Sequence, residues 1–260
     1  MTHYLNQRLF IMLALATAIA LSVSLSETSP SFADDNEPPP ASLNEDEPPK
    51  LNPAQEKYNR GVYLFQIAQG QREKGNTQGQ HDLLQKSIEH FEQALKLDPD
   101  LVEAQSNLAF AYLTLKKYKK SVKAFRKALV INPNHLNSLN GLGTAYALQN
   151  KPDLSTQQFD HLIKLDPANV QYRFNRASML QKAQQYTKAE AGYLQALKLE
   201  PKHQASLFNL ATLYENQQQL NKALPLYKKV KALDITSPIG LEAVNRIQWI
   251  EIELSRKTEQ

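Results

Sequence analysis

The chain has 260 residues, with 30 Lys and Arg against 26 Asp and Glu, no Cys, and only 8 Gly beside plentiful Ala, Leu, Gln and Lys. This composition favours helix on intrinsic propensity, and the 14 prolines are clustered or evenly spaced, so they punctuate helices rather than interrupt them. The missing thiols exclude disulfides, thiolate metal sites, cysteine nucleophiles and a lipid-modified lipoprotein anchor.

Residues 1–33 read as processing or anchoring sequence. Arg8 precedes an apolar run from Leu9 to Leu25, and Ser31-Phe32-Ala33 places small residues at the first and third positions before a cut. Two outcomes are open: cleavage after Ala33 as a signal peptide, or retention as an N-terminal membrane anchor, since the run is about as long as the shortest bilayer span. Either would put the rest of the chain on the non-cytoplasmic side, because the positive charge lies before the run. Residues 34–53 follow as a disordered acidic, Pro-rich spacer. Between Asp34 and Lys50 it carries six acids, one Lys, five prolines and no aromatic residue, too little apolar surface to offset ordering.

From there the chain repeats. Pro99, Pro133, Pro167 and Pro201 recur every 34 residues, each following an apolar stripe: Phe91, Ala94 and Leu95; Phe125, Ala128 and Leu129; Phe159, Leu162 and Ile163; Tyr193, Ala196 and Leu197. Tyr227 and Val230 continue the register once more, with Ile235 in place of proline. In the first half of each unit Leu108, Ala109 and Tyr112 correspond to Leu142, Gly143 and Tyr146, to Arg176, Ala177 and Leu180, and to Leu210, Ala211 and Tyr214. A small residue followed by a large one lets two helices cross closely. Short polar turns separate the halves, so each unit is an antiparallel helix pair that needs its neighbours for stability.

This pattern resembles the tetratricopeptide repeat. The matches run through Gln105, Leu108, Ala109, Tyr112, Ser121, Phe125, Ala128 and Pro133 in the clearest unit. The resemblance implies an all-α, right-handed α-solenoid of five repeats over residues 54–237: an irregular unit at 54–101, then 102–135, 136–169, 170–203 and 204–237. In the first unit Tyr58, Gly61 and Leu64 start the first helix, and Gly70 to Gln80 form an extended loop or a helix extension. Three residues depart from the family pattern. Arg176 replaces a buried Leu, Pro152 lies in a turn, and Pro225 is expected to kink the last second helix or delay its start. Residues 238–257 form a capping helix, with Trp249 expected to cover the apolar end of the last repeat.

The resemblance also implies a non-catalytic scaffold whose first helices line a concave groove that holds a peptide or helix of a protein partner. The groove residues are then Asn59, Asn107, Asn140, Asn175 and Asn209, a ladder of carboxamides suited to an extended backbone, with Phe110, Phe174, Phe208, Ser178 and Thr212 around them. The equally open alternative is that these Asn residues bond to neighbouring helices. The family's clamp for chaperone tails needs a Lys where Ser106 or Asn137 stands, so such tails are not expected. Similar repeat proteins with one N-terminal apolar segment assist assembly in bacterial envelopes and photosynthetic membranes. By that analogy the chain is exported, periplasmic or thylakoid-lumen-like, or membrane-anchored. The alternative is a structural, self-associating module without a soluble client, and nothing in the sequence fixes an oligomeric state.

No chemistry competes with this reading. His3, His81, His90, His135, His161 and His203 form no metal-binding spacing, so no metal and no cofactor are expected. Asp98, Asp166 and Glu200 precede turn prolines and read as turn formers. The basic stretch from Lys116 to Lys127 has no aromatic stacking platform and suits solvent, anionic lipid or an acidic partner rather than nucleic acid.

Overall fold

The computed structural model describes residues 52–258, which fold as eleven α-helices. They are α1 (Pro53–Glu73), α2 (Thr77–Leu97), α3 (Val102–Thr114), α4 (Tyr118–Ile131), α5 (Leu136–Leu148) and α6 (Pro152–Leu165), followed by α7 (Val170–Lys182), α8 (Tyr186–Leu199), α9 (Gln204–Asn216), α10 (Leu220–Leu233) and α11 (Pro238–Thr258). The helices pair as five hairpins stacked in a right-handed solenoid, and α11 closes the row. The signal or anchor segment at 1–33 and most of the acidic spacer lie outside the described residues. The spacer's last two residues do not: Asn52 accepts the Ala54 amide at 3.0 Å, and Pro53 takes the first helical position, where its missing N–H costs nothing.

Two kinds of turn build the stack. Inside each hairpin the chain ends the first helix with a left-handed residue, Gly75 at φ 74°, then Lys116, Asn150, Gln184 and Gln218 at φ 58–60°. The next amide reaches back five residues, as in Lys117 N–H to the Tyr112 carbonyl at 2.8 Å and Gln219 N–H to Tyr214 at 2.9 Å. Between hairpins, Asp98, Asn132, Asp166 and Asp234 accept the amide two residues on, so Asp98 and Asp166, the carboxylates before Pro99 and Pro167, are turn formers.

Packing follows the repeat. One aromatic ring per unit, Phe91, Phe125, Phe159, Tyr193 and Tyr227, is fully or almost fully buried against the small residue of the preceding helix. Ser87 and Ser155, at equivalent places, donate to the carbonyls of Gly61 and Gly143, both at 2.8 Å, which fixes Gly61 as the counterpart of Gly143. The extra residues of the first unit lengthen both of its helices to 21 residues around an ordinary turn, so the segment from Gly70 to Gln80 is helix extension rather than loop. Successive first helices approach one another, α1 to α3, α3 to α5, α7 to α9 and α9 to α11, whereas second helices make no comparable approach. The first helices therefore line the inside of the curve.

Two expectations fail. Pro225 neither delays nor interrupts α10, which starts at Leu220 like its counterparts; the proline is exposed, so the carbonyl it leaves unpaired, that of Asn221, faces solvent. Trp249 does not cover the last repeat. It is 44% exposed, while Ala243, Ile247 and Ile250 on the other side of α11 pack with Leu220, Ala223, Tyr227 and Val230.

Candidate functional site: the first-helix face

The face the first helices share is the one expected to bind, and it divides into an open N-terminal half and a closed C-terminal half. In the open half Asn59 is exposed and accepts from Gln55 at 2.9 Å. Asn107 is partly buried and donates to the Tyr58 hydroxyl at 3.1 Å, tying α3 to α1 across 49 residues. Phe110 is half-buried with its ring edge-on to Phe125, centroids 4.9 Å apart. Asn140 is half-buried, and its side-chain oxygen is enclosed without a donor. Asn175 accepts from Gln171 at 2.8 Å, and Ser178 beside it is half-buried.

The ladder breaks at Gly141 for a steric reason. A Cβ there would lie 2.1 Å from the Phe125 ring, so the third repeat carries its carboxamide one residue earlier, at Asn140.

In the closed half the expected contact residues are core. Phe174 and Phe208 are only 5% and 7% exposed: Phe174 packs on Tyr193 and edge-on to His203, and Phe208 packs edge-on to Tyr227. Asn209 is buried and donates to the Tyr193 hydroxyl at 3.4 Å, and that hydroxyl donates to Gln181 at 2.6 Å. Thr212 is partly buried, donates to the Phe208 carbonyl at 3.0 Å and lies 3.0 Å from the Tyr227 hydroxyl. Phe174, Phe208 and Asn209 are therefore not presented to a ligand. The rings Tyr193 and Tyr227 that pack on them arrive from second helices, a depth that the family resemblance does not give.

Known families and structures agree with this architecture. Profiles described as tetratricopeptide repeat match residues 102–135, 170–203 and 193–224, and one described as TPR repeat matches 83–116. The chain is a tetratricopeptide-repeat (TPR) protein. Its fold resembles that of MamA from Desulfovibrio magneticus RS-1 (16% identity, TM-score 0.57, covering 69% of this chain and 98% of that one). It also resembles TTC0263, a thermophilic TPR protein of Thermus thermophilus (21%, 0.54, 76% and 99%), and YrrB (18%, 0.54, 74% and 95%), a TPR protein with an unusual peptide-binding site. At these identities the likeness concerns the fold. No curated protein is significantly similar in sequence.

The TPR stack also contains a polar chain that sequence reasoning did not assemble. Tyr227 donates to Glu215 at 2.7 Å, and Arg246 of the cap pairs with Glu215 at 2.9 Å and with Glu242 at 2.8 Å. The available signal was register: Pro238 begins one repeat length after Gln204, which brings the cap alongside α9. Elsewhere second helices reach forward to the next first helix. Tyr112 donates to Glu92 at 2.9 Å, the Tyr146 hydroxyl accepts from Arg126 at 2.7 Å, and Arg176 pairs with Asp160. Burial, then the neighbouring carboxylates Glu92 and Glu190, push Tyr112 and Tyr214 up to about 12, so both remain protonated donors. Among the described residues no group of three or more His, Asp or Glu is placed to hold a metal. The arrangement is a TPR-type protein–protein interaction module.

Proposed function

We propose that this TPR protein gathers a polypeptide partner along the open half of its first-helix face, as an assembly scaffold for a membrane complex. Asn107, Asn140 and Asn175 meet the partner's backbone, and Phe110 and Ser178 border them. The observation that carries this reading is Asn140: its enclosed acceptor has no donor among the described residues, between two partly exposed carboxamides, and an amide N–H of an extended segment would satisfy it. The unusual peptide-binding site described for YrrB supports peptide binding as a capacity of this fold.

The apolar run from Leu9 to Leu25 supports export or anchoring, with the repeats in a periplasmic or thylakoid-lumen-like space. Among the described residues no helix is long and apolar enough to cross a membrane, so that segment would carry any anchoring by a helix. Co-purification from membranes in mild detergent tests both parts. The triple variant Asn107→Ala, Asn140→Ala, Asn175→Ala should lose at least about tenfold in partner recovery while its helical circular dichroism is kept, as expected when several backbone hydrogen bonds are removed together. Undiminished recovery would move the binding surface off this face, and a chain found only in the cytosol with Met1 intact would overturn the compartment.

A further inference from the structure

The outer face of the solenoid carries a groove between the second helices α2 and α4, floored by the first helix α3 that lies between them. The groove between α2 and α4 has a volume of about 520 Å³ and is lined by Glu92, Lys96, Gln105, Leu108 and Val130 together with the apolar Leu95 and Ile131. The two floor residues have counterparts in each later repeat: Leu139 and Leu142 in the third, Leu207 and Leu210 in the fifth. All six of these floor side chains are buried. In the fourth repeat both floor residues are arginines, Arg173 and Arg176, and both are partly exposed.

Carried two repeats forward, the same lining becomes Asp160, Lys164, Arg173, Arg176 and Lys198, with Ile163 and Leu199 as apolar wall. The bond between Arg176 and Asp160 supports the correspondence, because it joins the floor to the flanking second helix where Leu108 and Glu92 line one groove. That bond also uses the one acid of the set. Arg173 has no ion-pair or hydrogen-bond partner among the described residues, and its Nη1 is enclosed without an acceptor. A guanidinium at a leucine's place, partly desolvated and unpaired, is destabilising in the free protein and is compensated only when an anion binds. Lys164 and Lys198, both exposed, add positive charge at the rim.

We propose that the outer groove formed by α6, α7 and α8 binds an acidic segment of a protein partner, with a carboxylate on Arg173. A guanidinium fork matches a carboxylate, and the aliphatic wall of Ile163 and Leu199, the latter 45% exposed, suits an apolar side chain beside it better than a bare anion. The groove opens on the face opposite the carboxamide ladder, so it stands independently of the inner-face reading and gives the scaffold a second contact surface.

The test uses the full chain in mild detergent at constant ionic strength, with thermal unfolding followed by circular dichroism. The probes are a capped glutamate-leucine peptide, its glutamine-leucine counterpart and inorganic phosphate. The acidic peptide should raise the midpoint by about 2–4 °C near saturation, and the glutamine peptide should leave it unchanged. Arg173→Leu should abolish that response while unfolding no earlier than the parent, and Arg173→Gln should do the same if the leucine variant fails to fold. No response in the parent chain, a response retained without Arg173, or an equal response to phosphate would each overturn the assignment.

Discussion

Among the described residues, four non-glycine residues sit in a conformation that ordinarily belongs to glycine. Lys116, Asn150, Gln184 and Gln218 have φ near +60°, at the place where the first repeat has Gly75. A left-handed L-residue costs about 1–2 kcal/mol, and asparagine tolerates it best of these four. Glycine gives back roughly 0.5–1 kcal/mol through the entropy it loses on folding, so the exchange is close but favourable at the glutamines. Gln218→Gly should therefore raise stability by about 0.5–1 kcal/mol, read as a higher denaturant midpoint at unchanged slope. A lower midpoint would mean that the Gln218 side chain contributes packing that outweighs its backbone strain. The turns themselves were legible as polar breaks in the apolar pattern, but their left-handed geometry was not, because the residues occupying it do not announce it.

At the scale of an element, α5 and α9 share an unusual start. His135 and His203 occupy their N-cap positions, with Nδ1 2.8 Å from Ser138 Oγ and 2.7 Å from Ser206 Oγ. Burial lowers both imidazoles below the usual histidine range, with Glu103 and Glu200 partly opposing the shift. Folded-state values below the unfolded value mean that the unfolded chain takes up protons first as the pH falls. This contribution is complete at neutral pH and above, and it is lost progressively on acidification through about pH 6.5. Protonation also makes both ring nitrogens donors and sets a positive charge at a helix N-terminus. The thermal midpoint should fall between about pH 7.5 and pH 5.5, and His203→Asn, which puts a non-titrating, favoured N-cap residue there, should flatten that slope. An unchanged slope would place the sensitivity elsewhere.

The helices were largely readable from the recurrence of Pro99, Pro133, Pro167 and Pro201 with the buried ring eight residues before each. The ligand face was only half readable. The family resemblance placed Asn107 and Asn175 on the inner surface, but it also placed Phe174 and Phe208 there, and their burial depends on Tyr193 and Tyr227, rings supplied by other helices. The same gap explains Trp249. A stripe along α11 exists, yet which side of it meets α10 is decided by where Val230 and Leu220 leave room for Ile247 and Ile250.

For the whole molecule the governing fact is that the repeats touch only their neighbours. The buried side chains gather into successive clusters along the row, and the largest runs from Phe174 through Tyr193, Tyr214 and Tyr227 to Ile247 and Ile250 of the cap. Stability in such a row is a sum of local terms and interfaces, so damage at one end need not propagate to the other. Ile250 is fully buried at the last interface, and Ile250→Ala should cost about 2–4 kcal/mol by removing apolar contact and leaving a cavity. Trp249→Ala, on the exposed side of the same helix, should cost less than about 1 kcal/mol. The distribution of the loss is the sharper measurement. Amide hydrogen exchange in Ile250→Ala should quicken through α9, α10 and α11, while α1 to α4 keep their protection, since their two clusters, one with Leu84, Phe91 and Leu108 and one with Ala124 and Phe125, share no residue with the damaged one. Quickening spread evenly over all eleven helices would mean that the stack unfolds as a single cooperative unit, with the cap as its keystone rather than a local lid.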